Sequence, residues 1–367
     1  MADRATAVKW LDELSHIPTA SGLEHGVVDW VEAWVGRRKD LTMTRDSGGN
    51  LLITQKGRKR HPLVLAVAHM DHPAFVVTGV DRGMASFQFR GGVDAAYFEE
   101  ASVGVVSREG GHRRLTVTTY DPVTQTGSLS TAGGSGTVEP GDIAMWNFPR
   151  ATKSRGLFKA PACDDLAGVA AALVALDRAR SRPGLRHYGV LLTRAEEMGL
   201  IGAIHAAKNR TIPSDARIIS IETSRELPSA PVGAGPIIRT GDRATVFDRD
   251  LTNRISQAAA ISGLKHQRKL MDGGGCEATA FGAYGYPSSG LCVALRNWHN
   301  RGNLDAVEAG TGEAVAMMEE ISLEDFHGLI DLILIAASAA DDPDTLTGRL
   351  DRLYESESRV LQAHSNR

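Results

Sequence analysis

A chain of 367 residues is long enough for one large domain or two ordinary ones, and it can bury a sizeable core. Hydrophobic residues at 42% and charged residues at 23% lie near the averages for globular proteins, which argues against a disordered or fibrous chain. The net charge of -3 argues against a nucleic-acid partner, and no stretch approaches the roughly 20 apolar residues of a membrane span.

The first segment, MADRATAVKWLDELSHIP, carries Asp3 and Arg4 and an amphipathic pattern, without the apolar centre of a secretory signal. Cys163, Cys276 and Cys292 are far apart and odd in number, which suits a reducing cytoplasm better than a disulfide framework. A cytoplasmic protein with no membrane partner is expected. The runs TAVKWLDELSHI and EHGVVDWVEAWVG predict helices by their apolar spacing, and HPLVLAVA predicts a buried strand.

From Phe75 to about Arg155 the texture changes. Short β-prone runs (FVVTGV, ASFQFR, SVGVVS, RRLTVTTY, IAMWNF) are separated by Gly, Pro and Asp turns, with almost no helical periodicity. Helical periodicity returns at GVAAALVALDRARS, followed by strands at HYGVLLTR, ARIISIE and SSGLCVALR with helical stretches between them. The alternation predicts an α/β domain with a mainly parallel sheet and helices on both faces, formed by residues 1–74 and 156–367. An all-β insertion occupies 75–155, and the carboxyl end from Leu323 begins as a helix and ends polar.

The charged residues then acquire meaning from where they fall. LVLAVA ends in His69-Met70-Asp71, GVLLTRA in Glu196-Glu197, RIISI in Glu222, and LCVALRNW in His299. Each apolar strand is thus expected to deliver a metal-ligand residue type at its carboxyl end, the edge where open α/β sheets build their sites. Asp164 and Asp165 stand just ahead of a helix, where Asp165 reads chiefly as an N-cap. Singly, His69 could be a core histidine, Glu222 an ion-pair partner and His299 a surface residue. Together they form the inventory of a two-metal hydrolytic centre, in which a shared carboxylate holds two ions about 3.5–4 Å apart.

No GxSxG elbow and no HExxH helix is present, which removes two rival hydrolase classes. The Gly273-Gly274-Gly275 run lacks a following Lys-Ser/Thr and reads as a backbone turn beside the site rather than a phosphate loop. Cys276 reads as a small packed residue rather than a nucleophile.

The segments LSHIPTASGLEHGV, VAHMDHPAFVV, KAPACDDLAGVAAAL, LLTRAEEMGLIGA, IISIETS, GAGPIIRTGDRATVFD, GGGCEATAFGAYGYPSSGL and ALRNWHN, in that order, resemble the M42 peptidases. That group comprises the glutamyl and tetrahedral aminopeptidases within the clan of co-catalytic zinc exopeptidases. The resemblance implies a zinc-exopeptidase core with an inserted PDZ-like β-domain used for dimerisation and substrate access. It assigns His69 and Glu222 to one ion, Glu197 and His299 to the other, and Asp164 to both. Asp71 would orient His69. Glu196 would be the general base that takes a proton from the attacking water and passes it to the leaving amine.

The implied cofactors are two divalent ions, zinc first, with cobalt or manganese compatible with the same His and carboxylate donors. The implied activity is removal of amino-terminal residues from small peptides by a homo-oligomer, a dimer or a dodecameric shell. An amidohydrolase or deacylase acting on a small N-acyl substrate stays open, as does a non-catalytic metal-binding homologue. The sequence departs from the family pattern at His72-Pro73-Ala74, at Cys276-Glu277, and at Trp298 and Asn300 in place of the usual Tyr and Ser. These departures are expected around the substrate rather than on the metals.

Overall fold

The computed structural model describes residues 1–57, 62–106, 112–130, 137–340 and 346–362. Its centre is an eight-stranded mixed sheet. The spatial order is Leu41–Arg45, Leu51–Gln55, Tyr188–Thr193, Val64–His69, Arg217–Arg225, Ser288–Leu295, Ile237–Gly241 and Gln267–Leu270. The four inner strands, from Tyr188–Thr193 across to Ser288–Leu295, are parallel, and the strand bordering this block on either side runs antiparallel to it.

The inner strands read as apolar runs because both of their faces are covered. Side chains alternate across a strand. Val64, Ala66 and Ala68 therefore enter one core, which also takes the helices Arg4–Leu14, His25–Gly36, Leu166–Ala179 and Leu323–Ala339. Leu65 and Val67 enter the other, which is closed by Ala203, Ala206 and Ala207 of the helix Ile201–Lys208 and by Phe281. Leu166–Ala179 is buried along nearly its whole length, and its Ala-rich composition lets it pack close to the sheet.

The described residues of the insertion are built of β-strands with one short 3-10 turn, Ala95–Tyr97. Ala74–Asp81, Met84–Arg90, Thr126–Ser130, His112–Asp121, Ser102–Val106 and Ile143–Trp146 close into an antiparallel barrel in that order. Its interior is aromatic: the Phe75 ring meets Phe87, Phe89 and Trp146 edge-on at centroid distances of 5.0, 5.0 and 4.9 Å. The finer expectation of a PDZ-like arrangement goes beyond these pairings.

Beyond the barrel, Thr152–Ser154 and Leu157–Ala160 form a hairpin whose second strand pairs with Glu319–Ser322, Ala160 opposite Glu319. That register brings Glu319 next to the segment that leads into Asp164. Among the described residues no helix is long and apolar enough to cross a membrane. One strand is longer than expected: Arg217–Arg225 runs three residues past Glu222, which pairs in register with Cys292. Glu222 is thus an interior strand residue, not a strand end.

Candidate metal centre

His69 closes its strand with its side chain buried, 1% exposed. Its Nδ1 lies 3.1 Å from the Asp71 carbonyl oxygen, which can only accept, so Nδ1 carries the proton and Nε2 is turned to the centre. His299 is held in the same way by the Gly92 carbonyl, 2.9 Å from its Nδ1. Between the two imidazoles stands Asp164, with Oδ1 3.4 Å from His69 Nε2 and Oδ2 3.5 Å from His299 Nε2.

Glu197 Oε1 approaches His299 Nε2 at 3.2 Å, and Glu196 Oε2 lies 3.9 Å from His69 Nε2. Two groups result, His69-Asp164-Glu222 and Asp164-Glu197-His299, with potential ligand atoms within 4.8 Å of one another and Asp164 common to both. His69, Glu196 and Glu197 approach one another equally closely. Among the described residues, Asp164 Oδ1, Glu197 Oε1 and Glu222 Oε1 are buried without a hydrogen-bond partner. Buried carboxylate oxygens left unpaired are costly, and two imidazole nitrogens facing them complete a donor set suited to divalent cations. The residues fit the metals that the family resemblance implies.

The electrostatics follow from crowding. Burial raises the Glu222 pKa to about 8 and the Glu196 pKa well above the carboxylate range, with the neighbouring carboxylates adding to both. For His69 burial disfavours the charge, but Glu196, Asp164 and Asp71 outweigh it and lift the pKa well above the imidazole range. His299 is lifted likewise by Glu197 and Asp164 against burial. Burial also opposes the charge on Asp164, yet the two imidazoles prevail and its pKa is lowered.

The Glu196-Glu197 loop is fastened from two sides. Asp71 Oδ1 accepts the Glu196 N–H at 3.0 Å, and its Oδ2 accepts the Glu197 N–H at 3.1 Å and the Ser21 hydroxyl at 2.6 Å. Buried Glu24 accepts the Ala195 N–H at 3.0 Å and Arg194 Nε at 2.6 Å. Asp165 occupies the N-cap position of Leu166–Ala179, but its side chain caps nothing and instead accepts from Thr223 Oγ1 at 2.9 Å. The expected capping role is therefore corrected. The room for that carboxylate comes from Gly168, where a Cβ would stand 2.3 Å from both Asp165 oxygens.

A cavity of about 410 Å³ opens from the centre, with Arg239, Arg243, Met271, Gly273, Gly274 and Gly275 on its walls. Trp298 lines it, as the departures from the family pattern lead one to expect. His72, Asn300 and Glu277 do not, which corrects that expectation. His72 is buried with Nδ1 2.6 Å from the Asp164 carbonyl and Nε2 3.1 Å from Asn300 Oδ1. Asn300 in turn donates to the Pro161 carbonyl at 2.8 Å. Glu277 is buried, hydrogen-bonded by the Thr193 hydroxyl, with its pKa raised to about 7 by burial. Cys276 is buried beside Phe247 and Ala278, as expected of a packing residue.

Glu319 was missed by sequence reasoning. Its Oε2 accepts the N–H groups of Cys163 at 2.6 Å and Asp164 at 2.9 Å, and its Oε1 accepts that of His299 at 2.9 Å. The signal was available: Glu319-Glu320 repeats the adjacent-carboxylate pattern of Glu196-Glu197. Glu24, Ser21 and Gly92 have no comparable signal, since each acts by a hydrogen bond to a segment distant in the chain.

The chain matches the M42 glutamyl aminopeptidase family over residues 49–131 and 131–311, more than half of its length. It belongs to the M42 peptidase family. As an M42 member it is a peptide hydrolase. No curated protein sequence matches it significantly. Among solved structures it is similar to the Pyrococcus horikoshii TET1 peptidase, which assembles into a tetrahedron or a large octahedral shell. Identity there is 22%, with 90% of this chain and 99% of that chain covered at a TM-score of 0.74. A TET aminopeptidase from a marine-sediment thaumarchaeote matches at 20% identity, covering 94% and 99% of the two chains at a TM-score of 0.74. A Thermotoga maritima protein named endoglucanase matches at 22% identity, covering 89% and 96% at a TM-score of 0.66. At these identities the structural matches speak for the fold.

Proposed function

We propose that this M42 protein is a dinuclear-metal aminopeptidase acting on small peptides with a free amino terminus. The observation that carries the reading is Asp164, whose two carboxylate oxygens each face a different histidine while belonging to two potential ligand groups. His69, Glu222 and Asp164 would hold one ion, and Asp164, Glu197 and His299 the other. Two divalent ions so held would polarise the scissile carbonyl and acidify a water; zinc heads the candidates, with cobalt and manganese served by the same donors.

The chain's own groups supply the rest. Glu196 belongs to neither of the two groups that share Asp164, its side chain is 13% exposed, and it lines the cavity. Burial and neighbouring carboxylates raise its proton affinity, which suits a base that accepts a proton from water and returns it to the departing amine. Asp71 holds the backbone of Glu196 and Glu197 in place, and with it the position of that base. By analogy with the TET assemblies, the protein works as a homo-oligomer, with the barrel as a contact and access element.

Glu196→Gln is expected to keep both ions and to lower kcat by about 10²–10⁴-fold on an aminoacyl substrate identified with the parent protein. A variant that retains its ions and hydrolyses at the parental rate would falsify the role of Glu196. Aminoacyl and N-acyl substrates assayed side by side with Zn, Co or Mn separate an aminopeptidase from a deacylase, the first requiring the free amine.

A further inference from the structure

Trp298 immediately precedes His299 and makes three contacts, one through its N–H and two through its ring. Its indole Nε1–H donates to Asp164 Oδ2 at 2.8 Å, the oxygen that faces His299 Nε2. Its ring lies 4.0 Å from the His299 ring, centroid to centroid, and under the Arg301 guanidinium, whose central carbon stands 4.6 Å from the indole centroid. Arg301 is itself buried, and its Nη1 pairs with Asp94 Oδ2 at 2.8 Å.

Asp94 belongs to the barrel insertion, at the head of the short 3-10 turn Ala95–Tyr97. Two residues earlier in the same segment, Gly92 accepts the proton on His299 Nδ1. The barrel therefore reaches the His299 side of the centre twice, directly at the imidazole and indirectly through Arg301 and Trp298. The His69 imidazole is held differently, by Asp71 at the end of its own strand.

Each carboxylate oxygen has two lone-pair directions, so a donor on one leaves the other free while fixing the rotation of the group. Among the described residues Asp164 Oδ1 is without a hydrogen-bond donor, and the Trp298 N–H on Oδ2 orients the oxygen that faces His299. Donors that orient a ligand from outside the coordination shell matter for binding: removing one typically weakens ion affinity by about 10–100-fold.

We propose that Trp298 is a positioning residue for the ion on the His299 side, held by the Asp94–Arg301 pair, so that the barrel insertion contributes to the occupancy of that site. The proposal rests on the dinuclear reading above. Cobalt(II) titrated calorimetrically into the metal-stripped full-length chain tests both. The parent protein is expected to bind in two steps. Trp298→Phe weakens one step by about 10–100-fold and leaves the other unchanged. Asp94→Ala, at a side chain 58% exposed, weakens the same step by about two- to five-fold, and adds nothing in the Trp298→Phe background.

A parent chain that binds one ion or none refutes the dinuclear reading and this proposal with it. A two-step parent whose steps are unchanged in Trp298→Phe, or weakened equally, overturns the proposal alone. So does an Asp94→Ala effect that persists undiminished in the double variant. Should Trp298→Phe not fold, Asp94→Ala decides by itself, an unchanged second step counting against the proposal.

Discussion

Asp71 and Glu319 each orient one side of the centre by accepting N–H donors, and they differ in where those donors come from. Asp71 stands two residues past the His69 strand and receives Glu196 and Glu197 from the loop after the adjacent parallel strand, so ordinary sheet register brings them together. Glu319 lies on an edge strand and receives Asp164 and His299 from two loops distant in sequence. Left-handed φ occurs on both sides, at Asn297, His299 and Asn300 (55°, 57° and 61°) near Glu319 and at Ala195 (52°) just ahead of Glu196. Residues other than glycine hold that conformation only where surrounding contacts over-determine it.

The charges differ as well. Burial opposes ionisation of both groups, but His69 and the Ser21 and backbone donors outweigh it at Asp71, whose pKa is lowered. At Glu319 burial prevails and the pKa rises to about 7. The ionised form is thus favoured at Asp71 on the sheet-built side and disfavoured by burial at Glu319 on the loop-built side.

Two substitutions probe that contrast and a third, away from the centre, serves as the control, beginning with the largest expected effect. Asp71→Asn replaces an acceptor oxygen by a donor facing the Glu196–Glu197 backbone and His69; kcat/KM is expected to fall by about 100-fold, with ion affinity weakened on the His69 side. Wild-type kinetics in that variant would remove Asp71 from the account. Glu319→Gln introduces the same mismatch against Cys163, Asp164 and His299. Here ion affinity is expected to fall by about tenfold on the His299 side, measured as the weaker of two cobalt-binding steps. Equal weakening of both steps would show that the two anchors do not divide the centre as described.

The smallest effect belongs to Asp177, a buried carboxylate remote from the centre. Burial opposes its charge, but Arg38, the Ala2 N–H and Arg180 outweigh it and lower its pKa. Its stabilisation is therefore present in full above the unfolded pKa of about 4 and disappears as the pH falls through the lower folded value. Asp177→Asn is expected to cost about 1 kcal/mol near neutrality, with melting curves of parent and variant converging in acid. A gap that stays constant down to the most acid pH at which both fold would contradict that assignment.

The α/β core was legible because its signals are local. Apolar runs such as LVLAVA and HYGVLLTR mark strands covered on both faces, and the Ala-rich run after Asp165 marks a buried helix. His69, Asp71, Glu196 and Glu197 were legible for a related reason, since a polar residue that ends an apolar strand stands at the sheet edge. Glu222 was singled out although its strand runs beyond it, because its residue type stood out in an apolar run. His72 and Glu277 show the opposite case. They lie beside motif residues in the chain, but their side chains turn into the body of the protein, toward Asp164 with Asn300 and toward Thr193.

What the amino-acid order determined by itself is the set of strand ends and the chemistry each one presents, because periodicity and residue type are properties of short segments. What only the tertiary structure decided is how the His299 side is assembled. Glu319 takes the Asp164 N–H, the Gly92 carbonyl takes the His299 ring proton, and the Asp94 carboxylate holds Arg301 over the Trp298 ring; the contacts Glu319–Asp164, Gly92–His299 and Asp94–Arg301 each join segments more than a hundred residues apart that no local pattern encodes.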